Sequence, residues 1–184
     1  MWPLTFEQRL HAWGVLRANV QQAPLSQALA EINSWWFQTP WRAYHLHWDD
    51  QAKWPDPWEL LSDNIYCDLA RGLGIIYTIA MLDRPDLQDS VLAETDKGNL
   101  VLVQDQKYIL NWEAEPVLNI NPGQITAQHS VTQQQIKQQE AILTGANTIL
   151  SSGTFSGESI QSNIKQSREN IPRGSFKKIG RAHV

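Results

Sequence analysis

Trp54-Pro55-Asp56-Pro57-Trp58-Glu59-Leu60-Leu61, followed after Ser62-Asp63 by Asn64-Ile65-Tyr66-Cys67-Asp68-Leu69-Ala70 and a largely apolar run to Leu82, is the stretch around which the chain organises. Asp56 reads as a helix N-cap, Pro57 as the first helical residue and Glu59 as the reciprocal half of a capping box. That helix is short and ends near Ser62-Asp63-Asn64. Residues Tyr66 to Leu82 then read as a helix that is apolar on most sides, the pattern of an element at the centre of a core. Gly72 and Gly74 lie inside it, each costing about 1 kcal/mol relative to alanine. The return expected for that cost is close approach of a neighbouring element.

Upstream, Thr5 and Gln8 form a second capping box. Phe6, Leu10, Trp13, Leu16 and Val20 follow at helical spacing and make one apolar stripe. Ala23-Pro24 breaks it. Ser26 reads as the cap of a second helix carrying Leu29, Ile32 and Trp36, which Thr39-Pro40 ends. Trp41 to Trp48 alternates like a short strand, with His45 and His47 on one face. Downstream, Leu100 to Val103 and Tyr108 to Trp112 read as a strand pair around Gln104-Asp105-Gln106-Lys107. Asn119-Ile120-Asn121-Pro122-Gly123 supplies turn signals that close a domain over residues 1–123. The expected class is α+β: a small helical core with a short antiparallel sheet, plus an extended C-terminal arm over 124–184 that is helical near 133–143.

The 184 residues include nine Trp and carry a net charge of −4. Core packing is the expected place for most of Trp35, Trp36, Trp41, Trp48, Trp54 and Trp58, since a buried aromatic removes about 150–250 Å² from water. The charge is uneven. From Glu158 to Val184 the cations Lys165, Arg168, Arg173, Lys177, Lys178 and Arg181 face only Glu158 and Glu169, leaving +4 there and −8 on the rest. An acidic body with a basic tail points to a tail that reaches an acidic partner. Those six cations, with Phe176, are the candidate partner-binding residues. The chain as a whole lacks the basic signature of direct nucleic-acid binding. Cys67 is the lone cysteine, so no internal disulfide forms, which fits a reducing compartment. Met1-Trp2-Pro3-Leu4-Thr5 shows no leader pattern, and the apolar run Leu73 to Leu82 is about half the ~20 residues a bilayer requires. A soluble, intracellular protein without membrane contact is expected. Two histidines are too few for a zinc site, and no glycine arrangement cradles a phosphate. Neither metal nor cofactor is expected.

Cysteine nucleophiles favour helix N-termini, where the helix stabilises a thiolate. Cys67 stands at such a place, and a strand pair beginning near Asn99 and ending near Asn111 follows it. This order, over about residues 41–115, resembles the transglutaminase-like, papain-related cysteine peptidase family. That family shows a Trp-x-x-Pro-x-Glu-Leu-like approach, a Cys opening a helix, a His starting one strand and an Asp ending the next. The resemblance implies a nucleophile at Cys67, with Asn99 at the position of the base and Asn111 at that of the orienting carboxylate. An amide cannot accept the thiol proton, so a site of this composition is degenerate. The leading expectation is therefore a non-enzymatic structural or assembly subunit of a tailed-bacteriophage particle (baseplate, tail or neck). It would assemble in the host cytoplasm and end in the virion, its arm binding neighbouring protein subunits. The alternative is a cysteine hydrolase or acyltransferase using Cys67, with a histidine supplied by His45, His47 or a partner chain. A third reading is an adaptor recruiting an acidic partner through the arm.

Overall fold

The computed structural model describes residues 2–118 and 125–137. Helices α1 (Phe6–Gln21), α2 (Leu25–Phe37), α3 (Pro57–Asp63) and α4 (Asp68–Ala80) precede strands β1 (Val91–Thr95), β2 (Gly98–Val103), β3 (Tyr108–Leu110), β4 (Val117–Leu118) and β5 (Ala127–Thr132), with a short α5 (Gln133–Lys137) last. The sheet is antiparallel in the order β4-β3-β2-β1-β5. This is the expected α+β class.

Both capping boxes are formed. The Thr5 hydroxyl accepts from the Gln8 N–H and the Gln8 side chain accepts from the Thr5 N–H at the start of α1. Asp56 and Glu59 do the same for α3. Asn64 ends α3 in the left-handed region, with φ 53°, a conformation asparagine tolerates better than most residues.

Helix α4 is the hub. Every residue from Leu69 to Ala80 is buried; α2 and α3 pack on it, and α1 reaches it through the Trp13–Thr78 hydrogen bond. Trp13, Trp36 and Trp58 are at most 1% exposed. Burial of one such ring contributes about 4–6 kcal/mol of hydrophobic free energy as an upper bound. The indoles also need partners. Trp13 and Trp36 both donate to the Thr78 hydroxyl, at 2.8 and 2.9 Å, and Thr78 donates to the Gly74 carbonyl at 2.7 Å. One donor and two acceptor sites are all that a hydroxyl has, so Thr78 is saturated. The expected close approach at the glycines is observed. A Cβ on Gly74 would overlap the Trp36 ring, and one on Gly72 would lie 2.7 Å from Leu92 Cδ1.

The sheet presents Leu92, Val101, Val103, Leu110 and Val131 to this helical core, while Ala93, Leu100, Leu102 and Ile109 form a second cluster with Ile125. Leu92 pairs with Val101 on one side and Val131 on the other, so the alternation along the strands sorts the two faces.

Three expectations are corrected. Trp41 to Trp48 is not a strand: Trp41 makes one isolated parallel bridge to Tyr66, and Tyr44, at φ 57°, turns the chain. Helix α2 starts behind Pro24 rather than under a Ser26 cap, with no side-chain cap bond. The strand pair expected around 100–112 forms as β2 and β3, within a wider sheet that includes β1 and β5. The domain does not close at residue 123, because β5 is hydrogen-bonded along β1 from Val91↔Thr132 to Thr95↔Ala127. Helix α5 matches the first part of the helix expected near 133–143. The remainder of that helix and of the arm lies outside the described residues.

Candidate functional site

Cys67 is the N-cap residue of α4, and it makes no side-chain cap bond. Its thiol is 4% exposed. The Sγ accepts from the Leu46 N–H at 3.3 Å and lies 3.9 Å from the Leu46 carbonyl oxygen. Both partners are backbone atoms of the loop after Trp41, which the Arg42 N–H also ties to the Tyr66 carbonyl at 2.8 Å. His45 is half-buried and His47 exposed in that same loop, and no hydrogen bond joins either of them to the thiol.

Asn99 and Asn111 are brought together, as the strand positions suggested, but their target is Asp68 rather than Cys67. The Asn99 backbone N–H donates to Asp68 Oδ2 at 2.7 Å, and its side-chain amide approaches the same oxygen at 3.5 Å. Asn111 Nδ2 donates to the Asp68 carbonyl at 2.8 Å and the Asn99 carbonyl at 2.7 Å, with Asp68 Oδ1 at 3.5 Å. Local geometry places both residues. Asn111 sits at φ 66° as the chain leaves β3, and Gly98 at φ 114° opens β2. A Cβ on Gly98 would lie 2.7 Å from Asp68 Oδ2, so glycine is required for both its φ and its bareness.

A further residue completes the cluster. Asn33, fully buried on α2, accepts from the Asn111 N–H at 2.9 Å and donates to the carbonyls of Glu113 and Ala114 at 2.8 and 2.9 Å. One side chain thus ties α2 to the segment leaving β3. Its signal in the sequence was a polar residue on the buried stripe of Leu29, Ile32 and Trp36. Asp68 had no comparable signal, because an acid in the first turn of a helix is usual.

Burial pushes the Asp68 carboxyl above the ordinary aspartate value, against the opposing pull of the Asn99 N–H and the Arg71 charge. The Arg71 guanidinium lies over the rings of Phe37 and Trp41, 4.2 and 4.9 Å from their centroids, and burial lowers its pKa. The carbonyl oxygens of the Asn99 and Asn111 side chains are buried without a partner, so the cluster is not fully satisfied.

Among the described residues the hydrogen-bond partners of the thiol are backbone atoms of Leu46, and the two amides hold a carboxyl one residue further along the helix. Among the described residues no group of three or more His, Cys, Asp or Glu is placed to hold a metal ion, and no helix is long and apolar enough to cross a membrane. Lys165, Arg168, Arg173, Phe176, Lys177, Lys178 and Arg181 lie outside the described residues. Comparison with family models, curated proteins and solved structures returns no match.

Proposed function

We propose that this chain is a non-catalytic structural or assembly subunit of a tailed-bacteriophage particle, in its baseplate, tail or neck, and that its C-terminal arm binds neighbouring protein subunits. The observation that carries the non-catalytic part is the redirection of Asn99 and Asn111 to Asp68, with the Cys67 thiol held against the Leu46 backbone. A thiol nucleophile is activated by a hydrogen-bonded base, and the hydrogen bonds of the Cys67 thiol go to the Leu46 backbone instead. The assembly part draws on charge: the described residues carry nine Lys and Arg against sixteen Asp and Glu, whereas the last fifteen residues of the chain carry four cations and no anion. The particle itself is an analogy from the degenerate transglutaminase-like order of residues.

The test is truncation after Lys137. A cut at Gln124 would remove β5, so the sheet sets the boundary. The shortened chain is expected to unfold at the same denaturant midpoint as the full one and to lose association with the other subunits of its particle. Retained association would overturn the assembly reading. Hydrolase or acyltransferase turnover abolished by Cys67→Ala would overturn the non-catalytic one.

A further inference from the structure

A cleft of about 1090 Å³ opens between the outer faces of α1 and α2 and the chain leaving β3. Its floor is apolar, with Ala30, Trp35 and Tyr108, and Val15 is 45% exposed at its side. Glu31 and Glu115 line it as well. Glu31 accepts a hydrogen bond from Gln27 at 2.8 Å, and neither carboxylate has a cationic partner among the described residues. An apolar floor with unneutralised acids fits an extended segment that carries apolar and basic residues together.

The chain contains one such segment: Ile171-Pro172-Arg173-Gly174-Ser175-Phe176-Lys177-Lys178-Ile179-Gly180-Arg181. It has three large apolar side chains, four cations and no anion. We propose that this segment of a neighbouring copy docks in the α1–α2 cleft, with Phe176 against the apolar floor and Lys177 and Lys178 toward Glu31 and Glu115. This rests on the assembly reading above and names the surface that receives the arm. Reach permits it. The described chain ends at Lys137 in α5, which follows edge strand β5, three strands along the sheet from β3, whose Tyr108 lines the cleft. Residues 138–170 have a contour of roughly 100 Å, enough to leave the body and meet another copy.

The test uses the full-length chain with p-benzoylphenylalanine at Ala30, which is exposed in the cleft, and in a second preparation at exposed Ala52 as control. Isotopically light and heavy chains are mixed, irradiated and digested. Light–heavy adducts joining position 30 to peptides within 169–184 are expected, with none at position 52. Glu31→Lys with Glu115→Lys should lower the adduct yield roughly tenfold, the effect of reversing two rim charges. Lys177→Glu with Lys178→Glu in the same chain should restore it. Adducts confined to one chain, adducts elsewhere in the sequence, or a yield indifferent to charge reversal would each overturn the proposal. Truncation after Lys137 separates the two readings. If it abolishes association while position 30 finds another peptide, the cleft assignment fails and the assembly reading stands. If association survives the truncation, both fail.

Discussion

Helix α4 carries two buried polar junctions, one at each end, and they are built differently. At the C-terminal end a single hydroxyl, Thr78, receives two indole N–H groups and gives its proton to Gly74, so every hydrogen-bonding site it has is used. At the N-terminal end a carboxyl and two amides meet in a denser network, yet two amide oxygens remain without partners and the carboxyl is driven toward its neutral form. Both junctions pin other elements to α4. The tryptophan junction is complete for packing alone. The asparagine clasp holds the strands in place but carries polar groups that packing does not require. Because two of its oxygens are already unpaired, the clasp should tolerate substitution better than the saturated hydroxyl does.

The largest expected effect falls on the saturated junction. Thr78→Val keeps the shape but leaves two buried indole N–H groups unpaired, for a loss of about 4 kcal/mol in denaturant unfolding. A loss below about 1 kcal/mol would mean the indoles had found other partners, and the contrast between the ends would disappear. Next comes Asn111. Its replacement by alanine removes the two side-chain hydrogen bonds to the Asp68 and Asn99 carbonyls and adds left-handed strain, about 2–3 kcal/mol together. Asn111→Gly removes the same bonds without the strain and should cost about 1 kcal/mol less. Equal losses would show that the backbone conformation is not a constraint.

Asp68→Asn is smaller, about 1 kcal/mol, and its diagnostic is pH. Burial raises the folded carboxyl above the usual 3.8, so between that value and the folded one the native state holds more protons than the unfolded state. Wild-type stability therefore falls as pH rises through this window, while the Asn variant loses that dependence. Unfolding midpoints measured across the window should converge on the variant as pH rises. A wild-type midpoint that rises instead would reverse the assigned direction. Smallest is Cys67→Ala, which removes a buried sulfur held only by weak backbone contacts, for less than about 1 kcal/mol in the same measurement.

The helices were legible because their signals are local. Capping boxes at Thr5/Gln8 and Asp56/Glu59 depend on residues three apart, and the apolar run before Leu82 has one sensible place. The strands were harder. Val91 to Thr95 follows a turn-rich stretch and is too short to show a period. Ala127 to Thr132 is an edge strand whose exposed Ala127 and Gln128 leave Val131 as its one buried side chain, so its composition reads as arm. Trp41 to Trp48 failed the other way: its alternation is real, but Tyr44 adopts a left-handed turn no periodicity forecasts. In the site, the meeting of Asn99 and Asn111 near the start of α4 followed from the order of elements. Their shared target, Asp68, did not, because which of two adjacent residues a clasp grips is decided by distances of an ångström or two.

The tryptophans buried around α4 also lie close to one another and to further indoles, and this has an optical consequence. Trp2 and Trp35 lie 4.4 Å apart between centroids, Trp35 and Trp36 4.9 Å, and Trp48 and Trp54 5.0 Å, while Trp13 links Trp36 and Trp58 at 6.4 and 6.1 Å. Transition dipoles this close and this tilted couple to one another, so light absorbed by one indole is shared with its neighbours. The folded chain should show an exciton couplet in its circular dichroism and depolarised emission, both vanishing together when the rings separate, which makes the molecule a label-free reporter of its own folding.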